Sequence, residues 1–180
     1  MPDMLDPAIG ALLAGCCALL FASAALHKLL DLRGFAAVLD AYALLPGLGR
    51  LAPAVPLAEL TVAAGMLAGV ARPWAAVGGA VLLCAYAGAI ALSLRRGRTD
   101  LACGCGGPNE RRPIARWMVW RNLALALALG SAALPWSQRP MLAMDALTVA
   151  AGVATAAFLY VSLDRLLGQV LPRAQLLGSS

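Results

Sequence analysis

Five apolar runs, each about as long as a bilayer is thick, take up most of this chain and leave it few ways to fold. They cover residues 7–26, 51–71, 73–94, 117–136 and 140–163. At ~1.5 Å per helical residue, about 20 residues cross a hydrocarbon core of about 30 Å. In that medium every backbone group must be satisfied inside its own element, so such runs are expected to be helices. Of the 180 residues, 62% are hydrophobic and 13% charged. A soluble globule of this size has too little interior for that much apolar surface. The expected fold is all-α, a polytopic membrane helix bundle of about five transmembrane helices. It spans 7–163, with a polar loop at 95–116. A short polar tail at 164–180 is expected to be partly disordered. The connectors leave no room for a soluble domain.

The first connector, 31–50, carries Phe35, Val38, Leu39 and Tyr42 at i, i+3, i+4 and i+7, one face of a helix. A short interfacial helix ending before Pro46-Gly47 follows from that spacing. Ala22-Ser23-Ala24 resembles a signal-peptide cleavage site. However, the residues before the first run carry Asp3 and Asp6 and no basic residue, the wrong sign for a signal's leading segment. The first run is therefore read as a retained helix.

The net charge of +5 does not indicate nucleic-acid binding, because the basic residues sit between apolar runs. There they set orientation and meet anionic lipid head groups. With the N-terminus outside, the inner side collects Lys28, Arg33, Arg50, Arg95, Arg96, Arg98, Arg111, Arg112, Arg116, Arg165 and Arg173; the outer side gets Arg72 and Arg139. Eleven against two predicts a cell (inner or plasma) membrane protein with a cytoplasmic C-terminus and a cytoplasmic 95–116 loop. Five spans also place the first and third connectors on one membrane face, whichever face that is. Lys28, Glu59, the loop and Arg121 then share one side.

The loop holds Cys103-Gly104-Cys105-Gly106-Gly107 among arginines. Thiolates are the reactive form, and nearby positive charge lowers a thiol's pKa. Arg98, Arg111 and Arg112 are close in sequence. Two thiols so near each other could exchange disulfides with a partner. A purely structural loop is the alternative. A metal site is the weakest reading, since His27 is the only histidine and zinc wants four ligands. Five cysteines exclude complete pairing within one chain. Cys16, Cys17 and Cys84 fall in mid-run and read as apolar packing, with a buried redox pair as the rival. Glu59 and Arg121 are the costly charges within runs, expected to face the interior; a Glu59–Arg121 pair is permitted by their shared side. His27 and Lys28 read as an interfacial anchor, with His27 also able to carry a proton near the cysteines.

One ordered set of residues resembles a known family. Ala25-Leu26-His27-Lys28, Phe35 with Tyr42 and Leu45-Pro46, Glu59, Arg96-Gly97-Arg98, Cys103-Gly104-Cys105-Gly106-Gly107 and Arg121-Asn122 closely resemble the methylamine utilisation protein MauE family, grouped with DoxX-like membrane proteins. The likeness covers roughly residues 8–160. Family members usually read Asp-Cys-Gly-Cys-Phe-Gly, whereas here Ala102 precedes the first cysteine and Gly106 follows the second. The resemblance implies a DoxX-like four-helix core holding Glu59 and Arg121, with a fifth helix outside it. It implies a role in redox, thiol–disulfide maturation or export of another protein, as for the methylamine dehydrogenase small subunit. Cys103 and Cys105 would be the exchanging pair, with His27, Lys28, Glu59, Arg98, Arg121 and Asn122 shaping their site. The implied partners are a thioredoxin-like protein and a secreted or periplasmic client. No cofactor or metal is expected. The rivals are a non-catalytic assembly or scaffold protein and a quinone-linked disulfide oxidoreductase. An external client and an internal loop are reconciled if the protein relays reducing equivalents across the membrane.

Overall fold

The sequence marks where each helix starts and stops. Asp6 caps α1 (Pro7–Leu30) by accepting the Ala8 amide at 2.9 Å, and Pro7 sits at the first helical position, where its missing N–H costs nothing. Asp31 ends α1 and caps α2 (Leu32–Ala41), accepting from Gly34 N at 2.9 Å. Gly47, at φ +73°, opens a 3-10 turn (Leu48–Leu51) that leads into α3 (Ala54–Leu67). α4 (Arg72–Arg95) stops at Gly97, whose φ of +74° suits a residue without Cβ. There the amides of Gly97 and Arg98 donate to the carbonyls of Leu94 and Ser93, which closes the helix end. α5 (Arg116–Ala132) and α6 (Ala143–Leu177) complete the chain. This computed structural model describes residues 6–43, 46–68, 71–99, 101, 113–133 and 139–177, with backbone alone at 164 and 167–177.

Among the described residues, four segments are long and apolar enough to cross a membrane: Pro7–Leu30, Leu48–Leu67, Arg72–Arg95 and Ala143–Leu163. α5 has 17 residues, about 25 Å of helix. It runs antiparallel along α4. A Cβ on Gly79, near the start of α4, would touch Leu129 late in α5, while Ile90 late in α4 clusters with Met118 early in α5. The protein is an all-α, multi-pass membrane bundle.

The core forms where α1, α3, α4 and α5 meet, around Phe21, Val62, Met66, Leu83 and Leu129. Gly79 lets them close, since a Cβ there would lie 2.5 Å from Leu129, 2.9 Å from Val62 and 3.1 Å from Phe21. α6 lies outside this four-helix core and packs mainly on α1, where Gly15 meets Val153 and Gly152 meets Leu12. Arg139 fastens the same end. Its guanidinium donates to both carboxylate oxygens of Asp6 (2.9 and 3.0 Å) and both of Asp145 (2.7 and 3.2 Å).

The expected interfacial helix after α1 is α2, with Phe35 and Tyr42 buried. Two boundaries differ from expectation. α1 continues through His27-Lys28 to Leu30 instead of stopping at 26. α6 continues past 163 to Leu177.

Candidate functional site

On α1, Phe21, Ala25 and Lys28 follow each other at i, i+4 and i+7 and face the bundle. On α3, Pro56, Glu59, Val62, Ala63 and Met66 do the same. The two buried stripes bring Lys28 Nζ to 2.6 Å from Glu59 Oε1, with Lys28 4% and Glu59 0% exposed. A single buried charge in hydrocarbon would be prohibitive, so each ion needs the other. Tyr86, on α4, donates its hydroxyl to the same Oε1 at 2.8 Å. Lys28 also reaches the Ala24 carbonyl at 3.4 Å, and its ammonium lies 5.5 Å from the ring centres of both Phe35 and Tyr86. Three spanning helices and α2 therefore converge on one ammonium–carboxylate pair.

Asn122 completes the level from α5. It is buried, in phase with Met118, Ala126 and Leu129. By the antiparallel register of α4 and α5, Asn122 stands opposite Tyr86. Arg121 is one residue out of phase, about 100° around the helix. Its guanidinium stacks 5.2 Å from the Trp117 ring centre. The permitted Glu59–Arg121 pair is thus not the one that forms; Lys28 takes Glu59, because helical phase turns Lys28 and Asn122 inward. Lys28 is a buried ion-pair member rather than an interfacial anchor, while the neighbouring His27 is exposed.

Toward the loop, α2 and α4 build a neck. Ile114 N donates to Leu101 O at 3.0 Å, pinning the two ends of the cysteine segment together. Leu101 and Ile114 pack with Tyr42, Ile90 and Met118. Arg96 and Arg98 donate to the carbonyls of Ala43 and Tyr42, at 3.3 and 3.4 Å. Arg98 therefore lies at the neck. Cys103 and Cys105, with Arg111 and Arg112, lie outside the described residues. α2 touches both regions, Phe35 at the ion pair and Tyr42 at the neck. Of the remaining cysteines, Cys17 packs against the core and Cys84 is exposed on the bundle surface; with Cys16 they are free thiols.

Sequence reasoning missed Tyr86. Its signal was a hydroxyl in an otherwise uncharged run, which a lipid-facing residue there would not need. It also missed Ser93, fully buried in the last turns of α4.

The chain matches the family described as methylamine utilisation protein MauE over residues 6–137. It is similar to the methylamine utilization protein MauE of Paracoccus denitrificans, 38% identical over 84% of this chain and 83% of the relative. The Paracoccus versutus protein of that name is 39% identical over 75% of this chain and 74% of its own. That of Methylophilus methylotrophus is 34% identical over 91% and 88%. No solved structure matches the chain.

Proposed function

The chain belongs to the methylamine utilisation protein MauE family, and on that premise we propose that it serves methylamine utilisation by exchanging thiols and disulfides through Cys103 and Cys105 during maturation of a partner protein. The observation that carries this reading is the neck. The Leu101–Ile114 bond holds both ends of the two-cysteine segment against the buried Tyr42, Ile90 and Met118, one turn of α4 from Tyr86 of the ion-pair site.

The chemistry needs no group besides a second protein. A loop thiolate attacks a disulfide sulfur of the client, the client's S–S bond breaks, and a mixed disulfide forms as the other client sulfur leaves as a thiolate. The second loop thiolate then attacks the loop sulfur of the mixed disulfide. The client departs as a dithiol, having gained two electrons and the two protons the loop thiols lost, and the loop is left as a disulfide. A thioredoxin-like dithiol restores the loop by the same two steps in reverse roles. Run backwards, the cycle oxidises the client. Arg98 at the neck adds positive charge that favours the thiolates. The arginine distribution supports a cytoplasmic loop with the N-terminus outside, so the disulfide the loop attacks directly is one on the cytoplasmic side.

Two experiments test this. An impermeant thiol reagent on spheroplasts and inverted vesicles, with Cys16, Cys17 and Cys84 replaced, reads the face that carries the loop; labelling from the cytoplasmic face is expected. Cys103→Ser and Cys105→Ser should each abolish client maturation, and one should trap a mixed disulfide, while the protein still inserts. Normal maturation in the double variant overturns the proposal in favour of a docking scaffold.

A further inference from the structure

The apolar runs of the spanning helices do not line up along the bundle axis. Two contacts set the register of α1 against α4. A Cβ on Gly79 would lie 3.1 Å from the Phe21 ring, and the Lys28 ammonium lies 5.5 Å from the Tyr86 ring centre. Both pairs are 58 apart in sequence, so the two helices run parallel at a fixed offset. The run of α1 is bounded by Asp6 and His27, that of α4 by Arg72 and Arg95. Asp6 is 15 residues before Phe21, and Arg72 only seven before Gly79. At the Arg139 end α1 therefore reaches eight residues, about 12 Å, further out. His27 is six residues past Phe21, and Arg95 is 16 past Gly79. At the neck end the α1 run therefore stops ten residues, about 15 Å, short.

The other helices fall into the same order. α6 is in step with α1, since Gly15 meets Val153. Asp145 and Asp164 lie eight residues before and 11 after Val153, much as Asp6 and His27 lie nine before and 12 after Gly15. α5 and α3 come between. Leu129 at Gly79 and Met118 beside Ile90 set Arg116 level with Leu92, three residues short of Arg95. Val62 at Gly79 sets Arg50, 12 residues earlier, about four short of Arg95. Neighbours in the core follow the order α1, α3, α4, α5, with α6 outside on α1. α1 and α4 thus stand diagonally, and the ends descend across the bundle from His27 through Arg50 and Arg116 to Arg95. Each run is close to the thickness of a hydrocarbon core, so neither flank is short; the two are displaced.

An upright bundle cannot match this pattern. A bilayer centred on α1 and α6 would draw Arg72 about 12 Å into hydrocarbon and leave the exposed Leu92 in water. One centred on α4 would leave the exposed Ile9, Met144 and Leu147 in water and draw Asp164 and Arg165 inside. Tilting the axis removes both costs. We propose that the bundle meets the bilayer obliquely, through an apolar band that stands about 12–15 Å nearer the Arg139 end on the α1–α6 flank than on α4. The band takes the acyl-chain core of a bilayer of ordinary thickness, with a tilt in the upper part of the about 0–40° found for transmembrane helices. This placement does not depend on the thiol-exchange reading. It decides how the ion pair is approached. On the α1 flank Lys28 follows His27 directly, at head-group depth, with Phe35 of α2 over its ammonium. On α4, nine residues separate Tyr86 from Arg95. Head groups and water therefore come closest to the pair beneath α2.

Labels at equal height on the two flanks test this. Leu26 and Cys84 are exposed and 58 apart, so they share one height along the bundle. Cys16, half-buried, and Trp74, exposed, share another. The full-length protein, in nanodiscs of phosphatidylcholine and phosphatidylglycerol, carries one nitroxide at a time, with every other cysteine replaced. The label sits on native Cys84, on native Cys16, at Leu26→Cys or at Trp74→Cys. Relaxation by oxygen, set against a water-soluble nickel chelate, reads its depth. The label at position 26 should lie more than about 8 Å closer to a lipid surface than the one at 84, and the label at 74 closer by as much than the one at 16. Leu30→Cys and Gly88→Cys, both open to lipid and again 58 apart, repeat the neck-end comparison. Smaller differences in either pair, or the reverse order, overturn the oblique band.

Discussion

The Lys28 ammonium and the Glu59 carboxylate meet at 2.6 Å inside the bundle, 31 residues apart in sequence and closed to solvent on both sides. Neither ion has another charge of opposite sign recorded within bonding distance among the described residues. Replacing one partner leaves the other alone in an apolar interior. Lys28→Met or Glu59→Leu should each destabilise the protein by about 3–5 kcal/mol, and the double variant by much less than the sum. Thermal denaturation of the four proteins in one detergent checks this; additive losses would show that the ions do not depend on each other.

Tyr86→Phe removes the hydroxyl from Glu59 but keeps the ring beside Lys28. A hydrogen bond to a charged group contributes about 1.5–3 kcal/mol, so a loss of that order is expected. Tyr86→Leu should cost more, because the ring face is lost as well. Denaturation midpoints separate the two contributions.

Two glycines of α4 make a matched pair. Gly79→Ala drives a methyl into Leu129, Val62 and Phe21, side chains of three other helices, whereas a Cβ on Gly88 meets nothing within 4 Å. Gly79→Ala should destabilise by about 1–3 kcal/mol through overpacking. Gly88→Ala should be neutral or stabilise by up to about 1 kcal/mol, since Ala is the better helix former. Equal effects in thermal melts would contradict the close approach at Gly79.

Arg139 gives a pH signature. Its hydrogen bonds hold the Asp6 carboxyl below the ordinary 3.8, and the acids push the guanidinium further up. A carboxyl with a lowered folded pKa contributes stability that is complete above its unfolded pKa and disappears as pH falls through the folded one. Arg139→Ala should therefore lower the melting temperature at neutral pH, and the difference should shrink as pH falls below 3.8 through the lowered carboxyl pKa values. Added salt should shrink the neutral-pH difference, since the groups are exposed.

Much of the fold was legible because hydrocarbon permits few alternatives. Apolar run lengths gave α1, α4 and α6, and the i, i+3, i+4, i+7 spacing of Phe35 to Tyr42 gave α2. The site was harder. Glu59 stood out as a carboxylate in an apolar run, but the shared membrane face only permitted a pair with Arg121 and did not point to Lys28. Helical phase decided otherwise, and it was readable. Lys28 continues the stripe of Phe21 and Ala25, while Arg121 sits one step beside the inward stripe of Met118, Asn122 and Ala126. What the sequence could not supply is the register between helices, which places Asn122 opposite Tyr86 and Tyr42 against the loop neck. Register depends on distant contacts such as Gly79 with Leu129.

The attachment of α6 has a consequence for biosynthesis. α1 leaves the ribosome well before α6, yet α6 packs mainly on α1 and the Arg139 bridge joins their ends. The four-helix core around the ion pair can therefore close before α6 is made. α6 then works as a seal applied to a closed core, and Asp6 waits for more than 130 residues of synthesis for Arg139 to arrive.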